Sequence, residues 1–319
     1  MKKLALIQLF ALLFLTACAA NNPIINTPFA TPSPEPSATI TRLTDATETP
    51  VKVFTRTPAP FPMTTTYAHG LKMDIYLPET GEPPYPVVLA LHGGGSSKKE
   101  FAGWAKKMSE KGYALVAPNY RGSPVNPLDP TKSQYPVALE DSTCALAWLF
   151  DNAETYHFDT GNVALLGFSL GGTQAAMLGT VDDLQPYLKG CPVTSLPSPL
   201  PLKGVIPISA QFDYQKEFRA GLVEWLNAYF GKTYEEDPER WKEGSPINYV
   251  DGSEPPFLVL QGKDDAWVNP EQSADFEKAL KKVGVEITVS FLAGEHMTMV
   301  NGNESKQAVL SQLSSWFAK

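Results

Sequence analysis

The sequence has little of several things that decide between function classes. Its 319 residues include 3 cysteines and 4 histidines, and no cluster of Cys or His has the spacing that builds a metal site. Positive charge does not dominate: 26 Lys and Arg against 34 Asp and Glu give a net charge of −8. Losing Lys2 and Lys3 with an N-terminal leader would make this −10. That balance argues against nucleic acid and anionic polymers as partners, whereas neutral acyl compounds stay compatible. A glycine run occurs at Gly93-Gly94-Gly95, but the Gly-Lys-Ser/Thr ending of a phosphate-binding loop is missing. No internal repeat is visible, and beyond the N-terminus no apolar run is long enough to span a bilayer.

The N-terminus carries the one long apolar run. Met1-Lys2-Lys3 is followed by apolar residues from Leu4 to Leu15 and then by Thr16-Ala17-Cys18-Ala19. A basic start, a short apolar core and small residues describe a secretory leader, too short for a permanent membrane anchor. Leu15-Thr16-Ala17-Cys18 also resembles the bacterial lipoprotein signal. The resemblance implies removal of residues 1–17, acylation of Cys18, and an extracytoplasmic protein held on the cell envelope by its lipid; a plain leader would release it instead. Residues 18–66 follow as a disordered stalk rich in Thr and Pro, as in Thr31-Pro32-Ser33-Pro34-Glu35-Pro36. Such composition cannot bury enough apolar surface to offset the entropy of ordering. Residues 67–319 then have the length of one large domain.

Within that domain two periodicities alternate. Strands are expected at Lys72–Leu77, Pro86–Leu91, Tyr113–Pro118, Val163–Phe168, Gly204–Ser209, Pro256–Gln261 and Glu286–Leu292. Helices are expected at Lys99–Lys111, Val137–Asn152, Leu170–Leu178, Ser273–Val283 and Lys306–Phe317. The alternation predicts an α/β fold with a mostly parallel central sheet and helices on both faces. Two insertions, at 182–201 and 211–252, are expected to leave the sheet at the edge that carries Ser169. The second contains Trp225, Tyr229, Phe230, Tyr234, Trp241 and Tyr249, which either line an acyl pocket under a small helical cap or hold the insertion together. Cys144 and Cys191 form an even pair in a compartment the leader makes oxidising. A disulfide would pin the loop around Cys191 to the helix carrying Cys144; two buried thiols are the alternative.

The chemistry centres on Gly167-Phe168-Ser169-Leu170-Gly171, where an apolar strand stops at a serine and a helix begins. The glycines let neighbouring chain pass close, so the serine sits in a strained turn with its hydroxyl outward, and the new helix directs unpaired N–H groups towards negative charge. A serine hydroxyl needs a base, usually histidine. His69 precedes the first expected strand, His157 lies in a connection and His92 opens the glycine run. His296 follows the last expected strand, as Ser169 follows its own, which makes it the candidate base. An acid to orient it is offered by Asp264 or Asp265, after the strand ending at Gln261.

With these residues assembled, the chain resembles the α/β-hydrolases, in particular serine carboxylesterases with an H-G-G-G loop, here His92-Gly93-Gly94-Gly95. The order Ser169, Asp265, His296 is the order that fold uses. The family's turn H-G-x-x-D-x-x-V aligns Gly262, Asp265 and Val268, favouring Asp265, with Gln261 in place of the histidine at no cost in catalytic groups. The resemblance implies an oxyanion hole from the N–H groups of Gly94, Gly95 and Leu170, a structural His92, no cofactor, and a small-molecule or polysaccharide-linked ester as substrate, with acetyl or feruloyl groups in view. A prolyl-peptidase-like hydrolase and a non-catalytic tethered binding protein remain as alternatives.

Overall fold

The computed structural model describes residues 62–122, 134–216 and 220–318, all within the second of two compact units, Arg56–Lys319. The leader, Cys18 and the stalk residues up to Phe61 lie outside the described residues. Among the described residues eight strands form one sheet: β1 (Met63–Ala68), β2 (Leu71–Tyr76), β3 (Tyr85–Leu91), β4 (Ala114–Pro118), β5 (Phe158–Phe168), β6 (Leu202–Ile208), β7 (Phe257–Gly262) and β8 (Ile287–Leu292). The helices are α1 (Ala102–Ser109), α2 (Val137–Asp151), α3 (Ala153–Tyr156), α4 (Leu170–Thr180), α5 (Ala220–Phe230), α6 (Pro238–Glu243), α7 (Pro270–Lys282), α8 (His296–Asn301) and α9 (Asn303–Phe317).

The strand order is β1-β2-β4-β3-β5-β6-β7-β8. From β3 to β8 all pairings are parallel, while β2 runs antiparallel to β1 and β4. The central strands are apolar on both sides because both faces are covered. Val87, Leu89, Leu91, Leu165, Val205 and Val259 belong to the core that contains α2, α4 and α7, whereas Val88, Ala90, Leu166, Ile206 and Leu260 belong to the core under α1 and α9. That split is the two-residue period of a strand made physical.

Several boundaries differ from expectation. The sheet begins at Met63, inside the segment expected to be stalk: Thr64, Thr65 and Thr66 pair with Asp74, Met73 and Lys72 of β2. Threonine is common to Thr/Pro stalks and to strands, and here the partner strand decides. The helix expected from Lys99 starts as a 3₁₀ turn, Lys98–Phe101, before α1. The helix expected from Ser273 starts at Pro270, where Asn269 accepts a bond from the Glu271 N–H and proline occupies the first turn. A short helix, α8, was not anticipated at all.

The placement of residues 182–201 needs correction. The start of α4 lies at the carboxyl end of β6, since a Cβ on Gly172 would stand 2.9 Å from the Ala210 Cβ. Its end lies at the other edge, where a Cβ on Gly179 would stand 2.7 Å from Val205 and 3.3 Å from Phe257. The insertion after α4 therefore leaves from the edge opposite Ser169, because a helix between parallel strands must recross the sheet before it. Residues 211–252 follow β6 and do leave at the Ser169 edge.

The 182–201 insertion is tied down by a disulfide between Cys191 and Cys144 of α2. The bond closes a loop across a sequence separation of 47, for which chain entropy gives about 4 kcal/mol of stabilisation. Urea unfolding of a Cys144→Ser, Cys191→Ser variant should show a loss of about 2–4 kcal/mol, and the same loss should follow reduction of the parent.

Candidate active site

Ser169 follows β5 and precedes α4 with φ 53° and ψ −121°. A non-glycine residue in that region costs about 1–3 kcal/mol, so its surroundings must hold it there. They do so through the backbone: Ser169 N–H donates to Ile208 O of β6 at 2.8 Å, and Thr173 N–H donates to Ser169 O at 3.0 Å. The glycines on either side are required by contact. A Cβ on Gly167 would stand 2.0 Å from Gly171 O, and one on Gly171 would stand 2.0 Å from Leu91 O and 2.3 Å from His92 O. The helix is thus pressed backbone to backbone against the end of β3.

Asp265 follows β7, and His296 opens α8 just after β8. His296 Nδ1 lies 2.8 Å from Asp265 Oδ2, which assigns the proton on Nδ1 to this bond and leaves Nε2 as the acceptor. The other carboxylate oxygen accepts the N–H groups of Trp267 and Val268, both at 2.9 Å. Burial alone would raise the pKa of Asp265, but the hydrogen bond and charge of His296, with the Val268 and Trp267 N–H groups, outweigh it and leave the value lowered. The neighbouring Asp264 is exposed and accepts from Gly294 N–H at 3.2 Å, clamping the turn ahead of His296. Of the two aspartates, Asp265 is the one that meets the imidazole.

The His296 ring packs 4.8 Å from the ring of Phe168, the residue before Ser169. Among the described residues no hydrogen bond joins Ser169 Oγ to the imidazole, although such bonds commonly tighten only when substrate binds. Beside Ser169, a Cβ on Gly94 would lie 3.8 Å from the Leu170 Cβ, so two of the expected oxyanion donors are neighbours. Leu170 is the first residue of α4, and its N–H has no acceptor within the helix. Gly95 takes φ 83°, in a turn closed by Ser96 N–H donating to Gly93 O at 3.1 Å. His92 is buried and stacked on Tyr120, with ring centroids 4.2 Å apart; burial lowers its pKa to about 4 against the opposing pull of Gly93 O. His69 stands against Gly190, and His157 ends α3 ahead of β5.

One contribution was not anticipated, and one open alternative divides. Gln261, fully buried, donates from Nε2 to Asp265 Oδ2 at 3.2 Å and accepts from Ser273 Oγ at 3.1 Å, so it helps fix the Asp265 carboxylate. Its place in the turn was visible in sequence; its bond was not. Trp225 of α5 reaches the glycine loop, with Cζ2 at 3.0 Å from where a Gly94 Cβ would be. The aromatics of this insertion therefore divide: Trp225 faces the site, while Phe230 and Trp241 are buried and stack on each other at 4.8 Å.

A family profile described as BD-FAE matches residues 73–280, well over half of the chain. The chain belongs to the BD-FAE family. This BD-FAE chain is 26% identical over 208 residues to Esterase LipC and 28% identical over 213 residues to Esterase LipQ, both from Mycobacterium tuberculosis. Those alignments cover 63% and 65% of this chain but 49% and 48% of the relatives, so it spans about half the length of each. Among solved structures it is similar to a butyrate-bound thermophilic esterase, Est2, of Thermogutta terrifontis, with a TM-score of 0.63 at 20% identity over 80% of this chain and 91% of that one. It is also similar to a bifunctional GH43-CE protein of Bacteroides eggerthii, with a TM-score of 0.63 at 24% identity over 77% of this chain and 33% of that one. The likeness establishes the α/β-hydrolase fold, with a mostly parallel sheet and helices on both faces.

The lowered pKa of Asp265 has a consequence for acid stability. Its contribution is full above the unfolded value of about 4 and is lost as pH falls through the lower folded value. Urea unfolding as a function of pH should therefore show a flatter loss of stability below about pH 4 in Asp265→Asn than in the parent.

Proposed function

We propose that the domain is a serine carboxylic-ester hydrolase working through an acyl-enzyme. The observation that carries this reading is the Asp265–His296 bond at 2.8 Å, with its imidazole against the end of the strand that delivers Ser169. Esterase names among the relatives and structural neighbours support the same chemistry.

In this mechanism His296 Nε2 takes the Ser169 proton as Oγ bonds to the ester carbonyl carbon. The carbonyl π electrons move onto oxygen, and the resulting oxyanion is held by the N–H groups of Leu170, Gly94 and Gly95. Collapse breaks the bond to the alcohol oxygen, which leaves with the proton from His296. Water then repeats the sequence on the acyl-enzyme, giving up a proton to His296 and releasing the acid. Asp265 stays ionised throughout and stabilises the imidazolium.

Substrates are small or short-chain acyl esters in this reading, including acetyl or feruloyl esters of plant polysaccharide. Trp225 over Gly94 supports a short acyl site, since the indole occupies space beside the expected oxyanion position. A structural neighbour described as a carbohydrate esterase from gut microbiota supports carbohydrate-linked esters. Acylation of Cys18 would hold the enzyme on the outside of a bacterial membrane, and the Cys144–Cys191 disulfide suits an oxidising compartment. Relatives also include Dipeptidyl aminopeptidase BIII of Pseudoxanthomonas mexicana, 24% identical, of which the chain covers 29%. A peptidase reading therefore deserves one arm of the test.

Ser169→Ala should fold normally by circular dichroism yet lose p-nitrophenyl acetate hydrolysis by at least about 10⁴-fold; retained turnover would refute the assignment. Peptidyl p-nitroanilides should be cleaved far more slowly than the ester. Trp225→Ala should shift the preferred acyl length upward in a panel from acetate to octanoate, with kcat/KM for the longer esters rising about tenfold relative to acetate.

A further inference from the structure

The glycine loop is held at one peptide unit, from both of its polar ends. The carbonyl of His92 accepts from the Tyr120 hydroxyl, and the N–H of the same unit, on Gly93, donates to Glu100 Oε2 at 2.7 Å. Three consecutive glycines have more backbone freedom than any other tripeptide, so a loop built from them keeps one conformation only if something outside it is bonded to it. Tyr120 is buried and stacked on His92. Glu100 is delivered by the 3₁₀ turn Lys98–Phe101, whose Phe101 is fully buried in the core under α1 and α9. Both grips are thus attached to rigid parts of the fold.

A carboxylate is a costly choice for this place. Burial raises the Glu100 pKa, opposed by the bonds from Gly93 and Ser96 and by the charge of His296. The bond it makes is charge-assisted and short, of the class that is roughly twice as strong as a neutral one. Directly beyond the gripped peptide lies Gly94, next to Leu170.

We propose that Glu100 is a positioning residue: through Gly93 it fixes the first peptide of the loop, so that the N–H groups of Gly94 and Gly95 stay turned towards the carbonyl oxygen of the bound ester. The proposal rests on the ester-hydrolase reading above. Glu100 touches no reacting atom; its effect passes through the donors it orients. Those donors matter most in the transition state, so loss of Glu100 lowers kcat and leaves KM nearly unchanged. An amide at the same position can still accept the Gly93 N–H, and so restores much of the effect.

The test compares full-length parent, Glu100→Ala and Glu100→Gln on p-nitrophenyl acetate. Each kcat is expressed per active site counted by fluorophosphonate titration to completion, so that misfolded protein does not enter. Glu100→Ala should lose about 10–100-fold in kcat with KM changed less than about threefold, and Glu100→Gln should recover at least about tenfold of that loss. An unchanged kcat in Glu100→Ala, or a Glu100→Gln as impaired as the alanine variant, overturns the positioning role while leaving the esterase reading intact. A parent inert towards every ester overturns the esterase reading, and this proposal with it.

Discussion

The contact between Gly171 and the carbonyls of Leu91 and His92 is the constraint on which the site depends. Backbone meets backbone there, and a single methyl group would fall 2.0 Å from Leu91 O. No side-chain rearrangement can relieve such an overlap, so the position admits only glycine while the helix stays where it is. Because α4 is seated this deeply, its first N–H arrives beside Gly94 and the chain must turn through φ 53° at Ser169. One close approach thus strains the serine outward and sets the Leu170 N–H beside the glycine loop.

Around this junction rigidity comes from doubly used groups. Asp265 bonds His296 with one oxygen and two backbone N–H groups with the other, so the carboxylate fixes both the imidazole and the loop leading into α7. Gln261 links the same carboxylate to Ser273, and Asp264 holds the turn that carries His296. A low dielectric makes such a network strong when each member is satisfied, and the geometry it enforces is set before any substrate arrives.

The turn at Ser169 was legible in the sequence because its signal is local: an apolar run, a serine and two glycines at fixed spacing determine it. The place of His296 after the last strand was legible from chain order, and its contact with Asp265 instead of Asp264 was indicated only by the spacing of Gly262 and Val268. What stayed hidden depends on contacts between distant segments. Nothing around Glu100 announces that it meets Gly93, and Trp225 looks like any aromatic of its insertion until α5 is laid over the glycine loop. β1 was concealed by its own composition, since Met63–Ala68 becomes a strand through pairing with β2. The edge assigned to residues 182–201 failed for a different reason: a helix between two parallel strands always recrosses the sheet, and that rule was available without coordinates.

In the proposed mechanism everything turns on Ser169 being a nucleophile activated by the folded site. It is tested most directly by exposing the native protein to a fluorophosphonate and locating the adduct by intact-mass and peptide mass spectrometry. One adduct per chain is expected, on the peptide containing Ser169, and none after urea unfolding. An unlabelled native protein, or an adduct confined to another residue, would contradict it.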